Sequence, residues 1–181
     1  NFLASCIAFG LWKAVMKTSL AELDATYARL GVTFDETLGE SFYNDALPYV
    51  VAELEAKGIA CESEGALVVF YEDEKYPPFL VRKRDGAFLY AATDFATVKH
   101  RVETWDAEWL IYVVDGRQQL HFNQLFDACR RWGFDKVRYE HPWFGSILGE
   151  DGKPFRTRAG GTVRLSELLD EAETRALAVV E

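Results

Sequence analysis

Basic residues are the minority charge in this sequence. Twenty Lys and Arg stand against 29 Asp and Glu, which leaves a formal charge of -9 over 181 residues. A chain of that sign does not gather nucleic acid through its overall field, so any contact with phosphate falls to a local reversal of charge. Cysteine is scarce. Cys6, Cys61 and Cys129 are odd in number, lie far apart and form no Cys-x-x-Cys pair, and the three histidines (His100, His121, His141) do not cluster. That pattern argues against a disulfide framework and against a protein-bound metal, and makes a reducing, cytoplasmic setting the expectation. No apolar run approaches the eighteen or so residues of a membrane span, so no membrane partner is expected. The short apolar stretch at residues 2–9 lacks the basic segment of a signal peptide and reads as an element of a larger fold. Internal repeats and low-complexity stretches are missing. So are the P-loop pattern, the His-Glu-x-x-His pair, the nucleophile elbow and the glycine-rich dinucleotide fingerprint, which removes the usual signs of covalent or metal-centred catalysis. The chain also starts at Asn1 rather than Met, and the expectation is that it is a piece of something longer.

Apolar residues make up 49% of the chain, with 13 Phe, 8 Tyr and 5 Trp, enough to fill a sizeable core. Residues 11–30 place Leu11, Val15, Leu20, Leu23, Tyr27 and Leu30 at helical spacing. Ser19 and Glu22 form a possible capping box, which suggests two helices joined near Thr18. A second amphipathic helix is predicted over 44–57, with Pro48 in its first turn. Residues 66–71 read as a buried strand. Strands at 79–83 and 87–91 flank the hairpin signal Asp85-Gly86. From there helices at 94–104, 118–132 and 165–179 alternate with strands at 109–114 and 136–139. This grammar predicts an α/β fold with a parallel sheet, whose ligands bind outside the carboxyl ends of the strands.

Three segments stand at those ends. In Tyr90-Ala-Ala-Thr-Asp94, the plainer reading makes Thr93 or Asp94 a helix N-cap and Tyr90 a core residue. The alternative holds Asp94 at a ligand, where a carboxylate accepts two parallel N–H bonds from a guanidinium and Tyr90 packs on the cation. Asp115 through His121 suits ribose or phosphate recognition, or else a charged loop with Asp115 as cap and an unpartnered His121 near the start of the helix. The third, residues 149–161, combines four glycines with Lys153, Arg156 and Arg158, a local reversal of charge. It is either an exposed surface loop or a mobile loop that closes over a polyphosphate.

Taken in order, these segments resemble bacterial arginyl-tRNA synthetases of class I. The resemblance runs through Gly31-Val-Thr-Phe-Asp35, Gly39-Glu-Ser-Phe-Tyr-Asn-Asp45, Lys57-Gly58, Glu62-Ser-Glu-Gly-Ala66, Asp85-Gly86 to Asp94, Tyr112-Val-Val-Asp115 to Phe122, His141, Phe144-Gly145 and Gly149 to Val163. It implies the second half of a Rossmann-like catalytic sheet, residues 79–164 with a mobile basic loop at 145–161. Part of a connecting insertion precedes it at 1–78, and the start of a helix leading to an anticodon-binding domain follows at 165–181. It further implies that Tyr90, Asp94 and Gln118 grip the side chain of L-arginine, that His121, Gly116 and Gly145 line the ATP site, and that Lys153, Arg156 and Arg158 meet the phosphates. The loop departs from the usual Lys-Met-Ser-Lys-Ser, with Pro154-Phe-Arg-Thr-Arg158 near its place, and Ala92 stands where many relatives have Thr.

The implied activity is ATP-dependent formation of arginyl-adenylate and transfer to tRNA(Arg), by a parent chain expected to be monomeric, with Mg²⁺ carried by the nucleotide. The family's other signature, His-Ile-Gly-His, has no counterpart in these residues. The isolated polypeptide is therefore expected to be inactive. A second reading makes it a truncated relative serving as a non-catalytic binding or regulatory module.

Overall fold

In a computed structural model the protein is described over residues 2–145 and 164–180; most of the basic loop nominated above lies outside them. Residues 1–37 and 147–181 belong to one compact unit and residues 38–146 to a second.

In the first unit, α1 runs unbroken over Phe2–Leu30, so the predicted break near Thr18 does not occur. Neither Gly nor Pro stands between residues 11 and 30, and the Thr18 hydroxyl donates back to the Ala14 carbonyl at 3.2 Å instead of capping a new helix. Another helix, α5, spans Leu165–Val180. Arg29 joins the two, donating to Asp170 at 2.6 Å and to Glu173 at 3.1 Å. No helix among the described residues is long and apolar enough to cross a membrane.

The second unit contains α2 (Leu47–Ala56), β1 (Cys61–Ser63), β2 (Ala66–Val69) and β3 (Phe79–Arg82), then α3 (Tyr90–Trp105), β4 (Trp109–Ile111), β5 (Val114–Asp115), α4 (Gln119–Trp132), β6 (Arg138–Glu140) and β7 (Trp143–Phe144). Pro48 occupies the first turn of α2, where its missing N–H costs nothing. Strands β1, β2 and β3 form an antiparallel sheet. The hairpin at Asp85-Gly86 forms as predicted, closed by Lys83 N–H on the Ala87 carbonyl at 2.9 Å. The predicted strand 87–91 does not follow it. One bridge pairs Phe88 with Arg82, and α3 begins at Tyr90. Ala91 and Ala92 are strong helix formers, and a helix buries them with Phe95 and Val98 on one face, a gain the strand period could not supply.

The predicted strand 109–114 is also divided. β4 pairs in parallel with β6, and β5 with β7, and the two ladders keep the same sequence offset. They are one register interrupted opposite Pro142, which has no N–H to give to a ladder. Helix α4 connects β4 and β5 to their partners, the parallel grammar the sequence predicted.

At the centre lies α3, packed against α2, β3 and α4. Its Phe95 is fully buried and meets Phe79 and Trp132 edge to face, at 6.0 and 5.8 Å. Burying one such ring contributes about 1.5–3 kcal/mol. The stretch between β2 and β3 is fastened to α4: Tyr71 donates to the Gln124 carbonyl at 2.8 Å, and Gln124 Nε2 donates to the Pro77 carbonyl at 2.7 Å. Gln124 is thus a buried polar side chain with its donor satisfied.

Candidate functional site

Because α3 starts at Tyr90, Asp94 stands in its second turn and caps nothing. The N-cap is Leu89, which has no side-chain oxygen to offer. Tyr90, Thr93, Asp94, Thr97 and Arg101 recur at three- and four-residue steps, so one face of the helix presents all five. That face forms a wall of a cleft of about 650 Å³. The opposite wall comes from the start of α4 and the turn before it, with Gln118, His121 and Phe122, and from Tyr112 and Val114 on the parallel strands. Leu38, Glu40 and Tyr43 close one side. A larger groove of about 730 Å³ lies between α1 and α5, but it holds none of the residues nominated from the sequence.

The closest polar contact in the cleft is between Asp94 and His121. His121 Nε2 donates to Asp94 Oδ2 at 2.6 Å, with each side chain about a quarter exposed. No partner for His121 was evident from sequence, because the two residues come together only when α3 packs on α4. The imidazole is held edge-on against Phe79 and Phe122, with centroids at 5.0 and 5.2 Å. Tyr90 is 71% exposed at the mouth.

Deeper in, the Arg101 guanidinium carbon lies 5.3 Å from the centroid of the Tyr112 ring. Arg101 Nε and the Tyr112 hydroxyl are both buried without a hydrogen-bond partner among the described residues. Burial pushes the Tyr112 phenol well above its ordinary pKa, while the Arg101 charge pulls the other way. Beside the cleft, Asp115 accepts from the Arg117 backbone N–H at 2.8 Å and from its guanidinium at 3.0 and 2.9 Å. Those side-chain and backbone bonds lower its pKa to about 2.

The structure therefore brings Tyr90, Asp94, Gln118 and His121 to one cleft. Gly116 lies next to Gln118 but faces the Trp143 indole, and Gly145 is exposed. Lys153, Arg156 and Arg158 fall outside the described residues. Among those described, no group of three or more His, Cys, Asp or Glu is placed to hold a metal ion. Sequence reading missed Glu40, Arg101 and Tyr112. Arg101 was legible in principle, seven residues after Asp94 on the same helical face; Glu40 stands in the 39–45 segment of the resemblance, but it enters the cleft from a distant turn and was not nominated for the site.

The family model of class I tRNA synthetases for arginine, catalytic domain, matches residues 8–181. The chain belongs to this family. Arginine–tRNA ligase of Cutibacterium acnes is 52% identical over 170 residues, covering 92% of this chain and 30% of that protein. The same enzyme of Erwinia tasmaniensis is 46% identical over 179 residues, covering 94% and 31%. The chain thus spans under a third of the curated arginyl-tRNA synthetases it matches. Among solved structures, the arginyl-tRNA synthetase of Plasmodium falciparum superposes with a TM-score of 0.79 at 27% identity, over 94% of this chain and 28% of that one. The Thermus thermophilus arginyl-tRNA synthetase shares the fold, with a TM-score of 0.62 at 23% identity over 76% of this chain and 29% of that one.

Proposed function

We propose that this chain supplies the arginine-recognising side of the catalytic domain of an ATP-dependent arginine–tRNA ligase. One observation carries the reading: on the cleft wall the Asp94 carboxylate uses Oδ2 for His121 and keeps Oδ1 without a partner among the described residues, with Tyr90 and Gln118 beside it. A guanidinium presents paired N–H donors to such an oxygen, and a tyrosine ring at the mouth can cover its face. Glu40 adds a second carboxylate to the same cleft.

In the reaction, an oxygen of the arginine carboxylate attacks the α-phosphorus of ATP. The bond to the bridging oxygen breaks, and pyrophosphate leaves with arginyl-adenylate formed. A hydroxyl of the terminal tRNA ribose then attacks the arginyl carbonyl, loses its proton and displaces AMP. The contribution of this chain is placement. Tyr90, Asp94, Gln118 and Glu40 hold the guanidinium end, while His121 and the backbone at Gly116 and Gly145 border the nucleotide. Lys153, Arg156 and Arg158 neutralise the phosphates. ATP is a substrate that brings Mg²⁺ on its phosphates, and tRNA(Arg) is the macromolecular partner. The parent is a cytoplasmic monomer in which residues 1–78 are part of the connecting insertion.

The test is ATP–pyrophosphate exchange with arginine and tRNA. The full-length parent is active, and the 181-residue polypeptide, which contains no His-x-Gly-His, is not. In the parent, Asp94→Asn lowers kcat/KM for arginine by about a hundredfold or more, the scale of a lost partner for a desolvated cation. Wild-type arginine kinetics in that variant overturn the assignment.

A further inference from the structure

We propose that His121 is a positioning residue for Asp94, and that their single hydrogen bond couples the subsite of the substrate cation to the subsite of the nucleotide. The inference rests on the ligase reading above and adds to it a physical link between two substrates.

A carboxylate in the second turn of a helix has two rotatable bonds and no inherent reason to face a cleft. Here Oδ2 is anchored at 2.6 Å by a ring on a different helix. The imidazole lies edge-on to Phe79 and Phe122 and is about a quarter exposed, so the ring contacts orient it without locking it. The remaining oxygen, Oδ1, has no partner among the described residues. One bond therefore fixes the direction in which Asp94 offers its charge.

The same bond fixes what His121 offers. A carboxylate only accepts, so Nε2 carries the shared proton, and a neutral ring is left with Nδ1 as its acceptor. A donor on the nucleotide, such as a ribose hydroxyl, is the chemistry that Nδ1 takes. A cation on Oδ1 holds Asp94 in the rotamer His121 needs, and a donor on Nδ1 holds His121 where Asp94 needs it. Linkage makes this reciprocal: each ligand tightens the other by the same factor. The His121 ring is about a quarter exposed and lines the cleft beside Asp94 and Gln118.

The experiment measures arginine binding to the full-length parent by calorimetry, with and without a non-hydrolysable ATP analogue. In the wild type the analogue tightens arginine severalfold. His121→Phe keeps the ring packing but removes the N–H; it weakens arginine by roughly tenfold and abolishes the effect of the analogue. His121→Gln, whose amide N–H replaces that of Nε2, recovers most of both. As a readout independent of folding in the variants, the wild-type His121 ring nitrogens report a protonated Nε2 by ¹⁵N NMR and shift when arginine is added. Wild-type arginine affinity in His121→Phe, an unchanged effect of the analogue, or static His121 signals would each overturn the proposal. Failure of the wild type to bind arginine is a different result and overturns the ligase reading itself.

Discussion

The α-carbon of Gly116 lies beneath the indole of Trp143, so that a β-carbon added there would stand 3.1 Å from Cε3 and 3.3 Å from Cδ2 of the ring. The glycine is needed for space, at the point where β5 ends and the turn into α4 begins. The parallel ladder with Val114 holds the Trp143 backbone, while the residue itself is 61% exposed. Gly116→Ala is expected to cost about 0.5 kcal/mol and Gly116→Val about 1 kcal/mol, the low end for an overfilled site, because the neighbouring ring is exposed and can shift. Urea unfolding measures both, and Trp143→Ala in the same chain should relieve most of the loss. An unaffected midpoint in Gly116→Val would show that the ring yields.

Tyr112 gives the opposite expectation. Its hydroxyl is buried with no acceptor among the described residues, and the Arg101 guanidinium beside it is only a donor; an unmet donor costs about 1–3 kcal/mol. Tyr112→Phe should therefore leave the ligand-free protein as stable as the wild type or raise its stability by about 1 kcal/mol. A loss larger than that in urea unfolding would mean that the hydroxyl is engaged.

The pH response of Asp115 follows from its bonds to Arg117. A carboxyl with a depressed native pKa lends stability that is present above its unfolded value, near 3.8, and is lost as pH falls through the native value of about 2. The turn leading into α4 should stay intact at pH 4 and loosen only below about pH 3. A carboxyl ¹³C titration of Asp115 with its midpoint near 4 would contradict this.

Two cysteines differ in environment. Cys61 is exposed on β1, whereas Cys129 is fully buried in α4, and burial pushes its thiol well above the ordinary value. An alkylating reagent at neutral pH should label Cys61 in the native protein and Cys129 only after unfolding. Peptide mass mapping reads the result, and early labelling of Cys129 would show that the core opens locally.

Much of the architecture was legible in the sequence wherever one period dominated. The apolar spacing of α2, α4 and α5 and the Asp85-Gly86 turn all predicted what formed. Where the sequence misled, two local preferences competed. The Asp85-Gly86 turn called for a second strand over 87–91, but Ala91 and Ala92 are buried better on a helix. Residues 109–114 look like one strand, yet the interruption is set by Pro142, some thirty residues away on the partner. The cleft shows the same division. Tyr90, Asp94 and Gln118 were visible as types at strand ends, while the Asp94–His121 bond depends on how α3 lies against α4 and is written in no local pattern.

The contact of Arg29 with Asp170 and Glu173 carries a consequence for assembly. Its partners are 141 and 144 residues apart along the chain, so in an unfolded polymer it closes a very long loop. Loop-closure entropy grows only slowly with length, but it must be met before the contact returns anything. The strand pairings of the unit at 38–146 span far shorter separations, and their loops cost less to close. Among the described contacts of this chain, the one between Arg29 and α5 is thus expected to be among the last to form.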